Sequence, residues 1–478
     1  MAKKNCNIER MQVPLLEACG PPCVEELPAD SDSPLSRDSM TARETCTASR
    51  RIVAPAIGFD EAVRIILSAV QPLPGEDVAL AEALGRVAAD AVVANEDAVP
   101  FARSAMDGYA VRANECALAT HDNPIDIPVA GQVFTEQGDS SLPLGAALAI
   151  TTGAPLPCGA DTVIPHERTE RHGPMVRIFA PVDLGDCVFP PGEDFHRGDE
   201  LVAAGEALNP GKLALLAFAG RPTLRVFRRP RVAIVCTGNE LVDAAATPAH
   251  GQVRYSNAVA LSALVLASGG EPRYEGVAPD DRAALKAMLL RAQRRADLLI
   301  TTGGASTGER DLVKSMLTEL GAEFRFTQIA MRPGRPFGFA EWGGIPVCVL
   351  PGNPAAAFMC FQKLVRPALA RLSGHRATEL PRLYARLDAE LHARSGRPHF
   401  VLARVRCEAK GFVAKPLANQ CSALVRTAAD ANAIVTVCET AVGSTVLHRG
   451  DVIDVEVFDW PSVFRASGEM HLAKESAA

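Results

Sequence analysis

Three short apolar runs near the middle of the chain each end abruptly in a turn made of small or polar residues. The runs cover residues 231–236, 298–300 and 345–350, and each is followed by apolar positions at helical spacing. Apolar runs of this length without alternation are typical of strands that are buried on both faces of a sheet. Strands that alternate with helices predict a parallel, doubly wound α/β domain, which we place at residues 226–379.

Nearer the N-terminus, the pattern predicts helices on both sides of a strand-rich region. Apolar residues between Ala62 and Val70 recur at intervals of three and four, and Pro72 stops the helix that they predict. Further helices are predicted near residues 80–86 and 210–220. Between these segments, short apolar stretches are separated by Pro and Gly, which favours a β-rich insertion.

The C-terminal part returns to the alternation of half-buried strands, which predicts a small β-barrel or sandwich. The fold class is therefore multidomain, α/β plus β. The predicted segments are a disordered N-terminal extension (1–55), a helical linker domain (56–93 with 199–225), a β-rich inserted domain (94–198), the doubly wound domain (226–379), a C-terminal β domain (380–462) and a flexible tail (463–478).

Composition narrows the classes of function. A net charge of −7 and a pI near 5.9 argue against nucleic acid as a partner, and the chain has no apolar run long enough to span a membrane. The 13 cysteines include no Cys-x-x-Cys pair, which indicates reduced thiols and argues against zinc. The N-terminus lacks the apolar core of a signal peptide. We expect a cytoplasmic protein.

The turns that follow the three buried strands are candidates for a ligand site. Right-handed crossovers place the carboxyl ends of parallel strands along one edge, where ligands of doubly wound domains bind. Small side chains and free N–H groups let an anion approach the backbone, although each turn alone could be an ordinary βα connection. Neither a G-x-G-x-x-G nor a Walker motif is present. The candidate turn residues are Thr237, Gly238, Thr302, Gly303, Gly304, Ser306, Pro351, Gly352 and Asn353.

Charged residues next to these turns suggest the chemistry. Glu240, Asp280 (or Asp281) and Asp311 follow strands, and carboxylates beside phosphate-binding loops predict Mg²⁺; helix-opening roles are the alternative. Arg332 and Arg335 lie in a stiff Pro/Gly frame and suit phosphates or oxyanions, unless they belong to a solvated basic loop. The residues indicate metal- and arginine-assisted handling of a phosphorylated ligand and a second anion.

Seven stretches in fixed order also give the chain a family resemblance. They are residues 104–110 (Ser-Ala-Met-Asp-Gly-Tyr-Ala), 152–155, 191–194, 237–241, 302–306 with Asp311, 332–337 and 351–354. Over about residues 57–460 the chain resembles the molybdopterin molybdenumtransferase family, which includes MoeA and the E domain of gephyrin. Residues 1–55 fall outside the resemblance.

The resemblance implies the insertion of molybdate into adenylylated molybdopterin, with release of AMP and dependence on Mg²⁺. It implies a homodimer in which the β-rich domain of one subunit faces the doubly wound (MogA-like) domain of the other. Asp107 and Thr152 would then reach the crevice from the partner chain. By matching position, Asp107 would assist hydrolysis, Glu240 would support the nucleotide site, and Asp311 and Asp280 would help to hold Mg²⁺.

The chain departs from the family pattern at several positions. Arg332, Arg335 and Gln328 stand where relatives often carry Lys, and Asn239 stands where Asp is common. These differences leave oxyanion selectivity open. Two other functions compete: a molybdopterin adenylyltransferase, which could also be a partner protein, and a gephyrin-like scaffold.

Overall fold

The computed structural model describes residues 56–136, 140–303, 312–392, 397–438 and 446–465. The predicted N-terminal extension and most of the predicted tail lie outside these ranges. Residues 463–465, which were predicted to belong to the tail, instead end the short helix Trp460–Arg465. No helix of the described ranges is long and apolar enough to cross a membrane.

The central domain is built on one twisted sheet of six strands. The first four strands in spatial order run parallel to one another, as predicted, whereas Gly338–Trp342 is antiparallel to Ile345–Leu350. In spatial order the strands are Glu271–Ala278, Arg231–Thr237, Leu298–Thr302, Ile345–Leu350, Gly338–Trp342 and Glu323–Phe326.

The parallel arrangement predicted for this sheet therefore holds for its first four strands, and Gly338–Trp342, the second strand from one edge, departs from it. The reason is the pair Gly343–Gly344, whose φ angles of 56° and 81° are both positive. Two successive residues with positive φ form the turn that joins the strands of a tight hairpin. Gly338–Trp342 thus reverses directly into Ile345–Leu350 without a crossover helix.

Helices cover both faces of this sheet, which confirms the doubly wound architecture. Alternate residues of the central strands enter two separate cores: Val232 and Ile234 pack on one face, Ala233 and Val235 on the other. The helices are Asn257–Ala267, Arg282–Gln293, Leu312–Glu319, Pro354–Cys360 and Arg366–Leu372, the last two being joined by a π-helical turn at Phe361–Val365.

The N-terminal part contains fewer helices than predicted. Phe59–Ser68 and Pro210–Phe218 are helical, but the expected helix near 80–86 is only one 3₁₀ turn, Leu80–Glu82. Gly85 has a φ of 72°, which is incompatible with a continued right-handed helix. The remaining elements are the strand pairs Gly75–Ala79 with Thr223–Phe227, Val92–Val93 with Glu200–Val202, and Ile57–Gly58 with Ile329–Ala330.

The β-rich insertion forms a six-stranded sheet, which agrees with the strand-rich pattern of its sequence. In spatial order the strands are Thr162–Pro165, Gly108–Val111, Ala147–Ile150, Ile125–Val133, Met175–Ile178 and Thr169–His172, with Arg103–Ser104 and Val188–Phe189 as a separate pair.

The C-terminal part is a closed five-stranded barrel, as the alternation of apolar residues predicted. The barrel strands are Arg382–Leu387, Gly411–Pro416, His399–Glu408, Ala433–Val437 and Val452–Val457. Smaller elements of this part are the strand pair Leu391–His392 with Val446–Leu447 and the unpredicted helix Val425–Asp430. A further short pair, Leu241–Val242 with Val253–Arg254, belongs to the central domain. The predicted limits between domains stay a prediction.

Candidate functional site: a crevice at the carboxyl edge of the central sheet

Three of the candidate turns meet in space. A methyl group added to Gly303 would lie 2.3 Å from the carbonyl oxygen of Thr237, and one added to Gly352 would lie 3.5 Å from the Cα atom of Gly303. Gly303 also has a φ of 93°, which side-chain-bearing residues rarely adopt. The Gly303 turn therefore lies between the other two, and its glycine is required by both conformation and space.

Asn257 fastens these turns together. Its Nδ2 donates to Thr302 Oγ1 at 3.0 Å and to the carbonyl oxygen of Gly352 at 2.8 Å. Thr302 Oγ1 in turn donates to the carbonyl oxygen of Pro351 at 3.0 Å. Asn257 was not among the predicted site residues, because a contact across 95 residues leaves no local signal.

Carboxylates line the Thr237 side of the crevice. Gly238 has a φ of 140°, and the Glu240 side chain folds back over it, so that a methyl group there would lie 2.5 Å from both carboxylate oxygens. Asn239 Oδ1 accepts from the backbone N–H of Asp280 at 3.0 Å, which brings exposed Asp280 beside the same turn. Asp281 instead caps the next helix by accepting from the N–H of Ala284 at 2.8 Å.

The arginine loop reaches the same edge because of the antiparallel strand. Gly338 pairs with Val349, so the loop that precedes Gly338 lies at the carboxyl end of Ile345–Leu350. Arg332 and Arg335 are both exposed there. Gly334 between them has a φ of 116°, and a methyl group on it would lie 2.6 Å from Cys360 Sγ, so the loop is held tightly against the core.

Two further residues, neither of them predicted from the sequence, lie next to the crevice. Lys314 Nζ donates to the carbonyl oxygens of Thr327 and Pro336 at 3.2 and 3.4 Å, which places a second kind of cation against the arginine loop. Ser422, from the C-terminal part, accepts from Asn353 Nδ2 at 3.2 Å. The barrel also contacts the loop, since the N–H of Arg332 donates to the carbonyl oxygen of Pro398 at 3.0 Å.

Asp107 and Thr152 form an exposed pair in the β-rich region. Asp107 Oδ1 accepts from the backbone N–H and the hydroxyl of Thr152 at 2.7 and 3.0 Å. These two hydrogen bonds hold the pKa of Asp107 below its ordinary value. Within one chain, the described residues show no hydrogen bond between this pair and the crevice turns.

Three of the predicted site residues, Gly304, Ser306 and Asp311, lie outside the described residues. Gln328, noted for its departure from the family pattern, is buried, and its Oε1 has no hydrogen-bond partner among the described residues. The binding and catalytic roles of all predicted site residues stay predictions.

The fold defines a multidomain α/β protein with a candidate ligand site where the doubly wound sheet, its arginine loop and the C-terminal barrel meet. Family models match almost all of the described chain: the MoeA N-terminal region (domain I and II) at residues 57–220, the probable molybdopterin binding domain at 233–371, and the MoeA C-terminal region (domain IV) at 384–458.

Individual relatives agree with this assignment. The chain is 32% identical to a molybdopterin molybdenumtransferase of Bacillus subtilis over 79% of this chain and 89% of that one. It is also 32% identical to molybdopterin molybdenumtransferase 1 of Mycobacterium tuberculosis, over 83% and 97%. The crystal structure of the molybdopterin biosynthesis MoeA protein from Pyrococcus horikoshii superposes with a TM-score of 0.72 at 33% identity, covering 85% of this chain and 100% of that one.

The chain belongs to the MoeA family of molybdopterin molybdenumtransferases. It is a transferase that acts on molybdopterin in the synthesis of the molybdenum cofactor. The competing hypothesis of an adenylyltransferase is set aside, since the relatives matched over most of their length are molybdenumtransferases.

Proposed function

We propose that this crevice binds adenylylated molybdopterin and molybdate, joins molybdate to the dithiolene sulfurs, and releases AMP. The observation that carries the proposal is the convergence of three small-residue turns that Asn257 holds together. Backbone N–H groups at such turns suit the phosphates of the nucleotide, because only small residues let an anion approach the backbone closely.

The arginine loop is the proposed site for molybdate. Molybdate is a tetrahedral oxyanion, and a guanidinium donates two parallel hydrogen bonds to such an anion. The position of Gly334 against Cys360 restrains the backbone of the loop, so the loop itself loses little freedom on binding. Lys314, anchored to the carbonyl of Pro336, adds positive charge beside them.

The donor set of the crevice fits Mg²⁺. The described residues contain no group of three or more His, Cys, Asp or Glu side chains that could form a complete cage. Mg²⁺ needs no such cage, because it usually binds through one or two carboxylates together with ligand phosphates and water. Glu240 and Asp280 would hold it, together with Asp311, and the bound ion would neutralise phosphate charge.

Asp107 is proposed to act from a second copy of the chain. Its Oδ1 is occupied by Thr152, whereas Oδ2 accepts no hydrogen bond among the described residues and belongs to an exposed side chain. A carboxylate with a lowered pKa stays ionised and can orient an attacking water molecule. Water would add its OH to one phosphorus atom and break the P–O bond that joins molybdopterin phosphate to AMP, while its other proton passes to the leaving phosphate. As the two Mo–S bonds form, one molybdate oxygen would leave as water and take the two thiol protons.

Mixing two variants, at a molybdate concentration at which neither alone releases much AMP, tests the shared site. Asp107→Ala and Arg335→Ala subunits each lack one half of it, yet a mixed dimer contains one site with both halves intact. Statistical exchange of equal amounts would restore about a quarter of wild-type AMP release if the two halves come from different chains. Recovery would stay absent if both residues act within one chain, and a double variant mixed with either single variant is the matched control.

Association with a molybdopterin adenylyltransferase would supply the substrate directly and is proposed only on the chemistry of the reaction.

A further inference from the structure

A second cavity lies at the opposite edge of the central sheet. It has a volume of about 380 Å³ and is bounded by the segment that precedes Arg231–Thr237 and by the C-terminal ends of two helices, Asn257–Ala267 and Arg366–Leu372. The crevice lies beyond the carboxyl ends of the same strands. The two sites are therefore separated by the length of the sheet.

Three basic side chains line this cavity, and no carboxylate does: Arg229, Arg366 and His375. Arg366 donates to the carbonyl oxygen of Thr378 at 3.1 Å, and Arg229 donates to that of Gly269 at 3.5 Å. Neither has a carboxylate within 4.0 Å among the described residues. Burial lowers the pKa of Arg366, and the attraction of Glu456 offsets this effect only in part.

Two acidic groups in this region, Glu456 and Asp297, are already paired with basic side chains. Glu456, which attracts Arg366 from a distance, is bound by Lys363 Nζ at 2.6 and 2.7 Å. Asp297 is held by Arg228 and Arg231 together, so that cluster adds net positive charge beside Arg229. The two helix C-termini attract cations, but each carries only about half an elementary charge. Together they offset about one of the two guanidinium charges, and His375, whose pKa is lowered by burial and by Arg366, is mostly neutral near pH 7, so the cavity keeps the positive charge of about one guanidinium.

A polar group without a partner lies in a small recess beside the cavity. Ser373 Oγ is buried and has no hydrogen-bond partner among the described residues, and Ser373 lines this recess, which shares Arg229, Gly269 and His375 with the main cavity. A buried hydroxyl without a partner is costly unless a ligand or water supplies one. At the mouth, Leu84 and Leu266 expose apolar surface, which would favour a ligand with an organic portion.

We propose that this cavity is a second anion-binding site, which takes a small organic phosphate through Arg229, Arg366 and His375. Its volume lies within the range of small-molecule sites, and its charge and unpartnered hydroxyl match a phosphate group. The site is independent of the crevice, so its failure would leave the proposed reaction untouched.

The test is isothermal titration calorimetry with inorganic phosphate, ribose 5-phosphate and uridine monophosphate. The protein is the Arg335→Ala variant, in which the proposed oxyanion loop is weakened. At least one organic phosphate should bind, more tightly than inorganic phosphate. A second substitution, Ala377→Glu, places a negative charge in the cavity wall at an exposed position and should weaken binding by about tenfold or more. Ala377→Gln has nearly the same size without the charge and should retain binding.

A further pair of variants tests the basic lining. Arg229→Gln should weaken the same binding, whereas Arg295→Gln, which removes an exposed arginine that does not line the cavity, should leave it unchanged. Binding of none of the three phosphates would overturn the proposal. Equal affinities of the Ala377→Glu and Ala377→Gln proteins would overturn it as well, and a preference for inorganic phosphate would exclude the organic ligand.

Discussion

Asn257 offers the sharpest test of how the crevice is built. Asn257→Ala removes two hydrogen bonds, to Thr302 Oγ1 and to the carbonyl oxygen of Gly352. Each such bond contributes about 1 kcal/mol net. Gly352 is exposed, so its carbonyl oxygen can accept a hydrogen bond from water instead. Thr302 is only 2% exposed, so its hydroxyl oxygen loses the Asn257 N–H donor without a replacement. We therefore expect a loss of about 1–2 kcal/mol in the alignment of the two turns.

That loss corresponds to roughly a 5- to 30-fold decrease in kcat/KM for AMP release. The assay is steady-state release of AMP from adenylylated molybdopterin, with urea unfolding measured in parallel. Ser262→Ala is the matched control, because it removes a hydrogen bond to Ala258 within the same helix and touches no crevice residue. An Asn257→Ala protein with the kcat/KM of the wild type would refute the role of Asn257, whatever its stability.

Three further predictions concern stability and anion recognition. Gly303→Ala should destabilise the fold by about 3 kcal/mol or more, because its methyl group would lie 2.3 Å from the Thr237 carbonyl oxygen. Gly85→Ala, with free space around it, should cost only about 1–2 kcal/mol, and equal losses of the two variants in urea unfolding would contradict this prediction. Burial raises the pKa of Asp297, but hydrogen bonds from Arg228 and Arg231 outweigh it and hold the pKa below the ordinary value. The stabilisation by Asp297 is thus present above the pKa of an unfolded Asp, near 4, and is lost as the pH falls below that value towards the folded pKa. Asp297→Asn should therefore make the free energy of unfolding depend less steeply on pH in acid. An unchanged slope would contradict this prediction. Arg335→Ala should raise the KM for molybdate far more than that for the nucleotide, and equal increases would indicate a general phosphate role.

Local patterns in the sequence predicted most of the architecture, for identifiable reasons. Apolar runs such as Ile345–Leu350 and the helical spacing after Pro354 are determined by burial within one element. The positions of Gly303 and Gly352 beside one another followed from the rule that parallel strands end at one edge. The family resemblance added the expectation that a second chain contributes Asp107.

The parts that escaped prediction depend on contacts between distant segments. Asn257 and Ser422 carry no signal of their own, since they bond to turns that are 45 to 95 residues away along the chain. The antiparallel strand Gly338–Trp342 was missed, although the Gly343–Gly344 pair before Ile345 was a usable signal. That reversal is what brings the arginine loop to the crevice.

The most direct measurement of the central claim is incubation of the purified protein with adenylylated molybdopterin, Mg²⁺ and molybdate, with AMP and molybdenum-loaded product followed together. If the crevice carries out the proposed reaction, AMP release depends on molybdate and is matched by incorporation of molybdenum, and both are strongly reduced in Arg335→Ala and Asp107→Ala. AMP release at the wild-type rate by both variants would contradict the account.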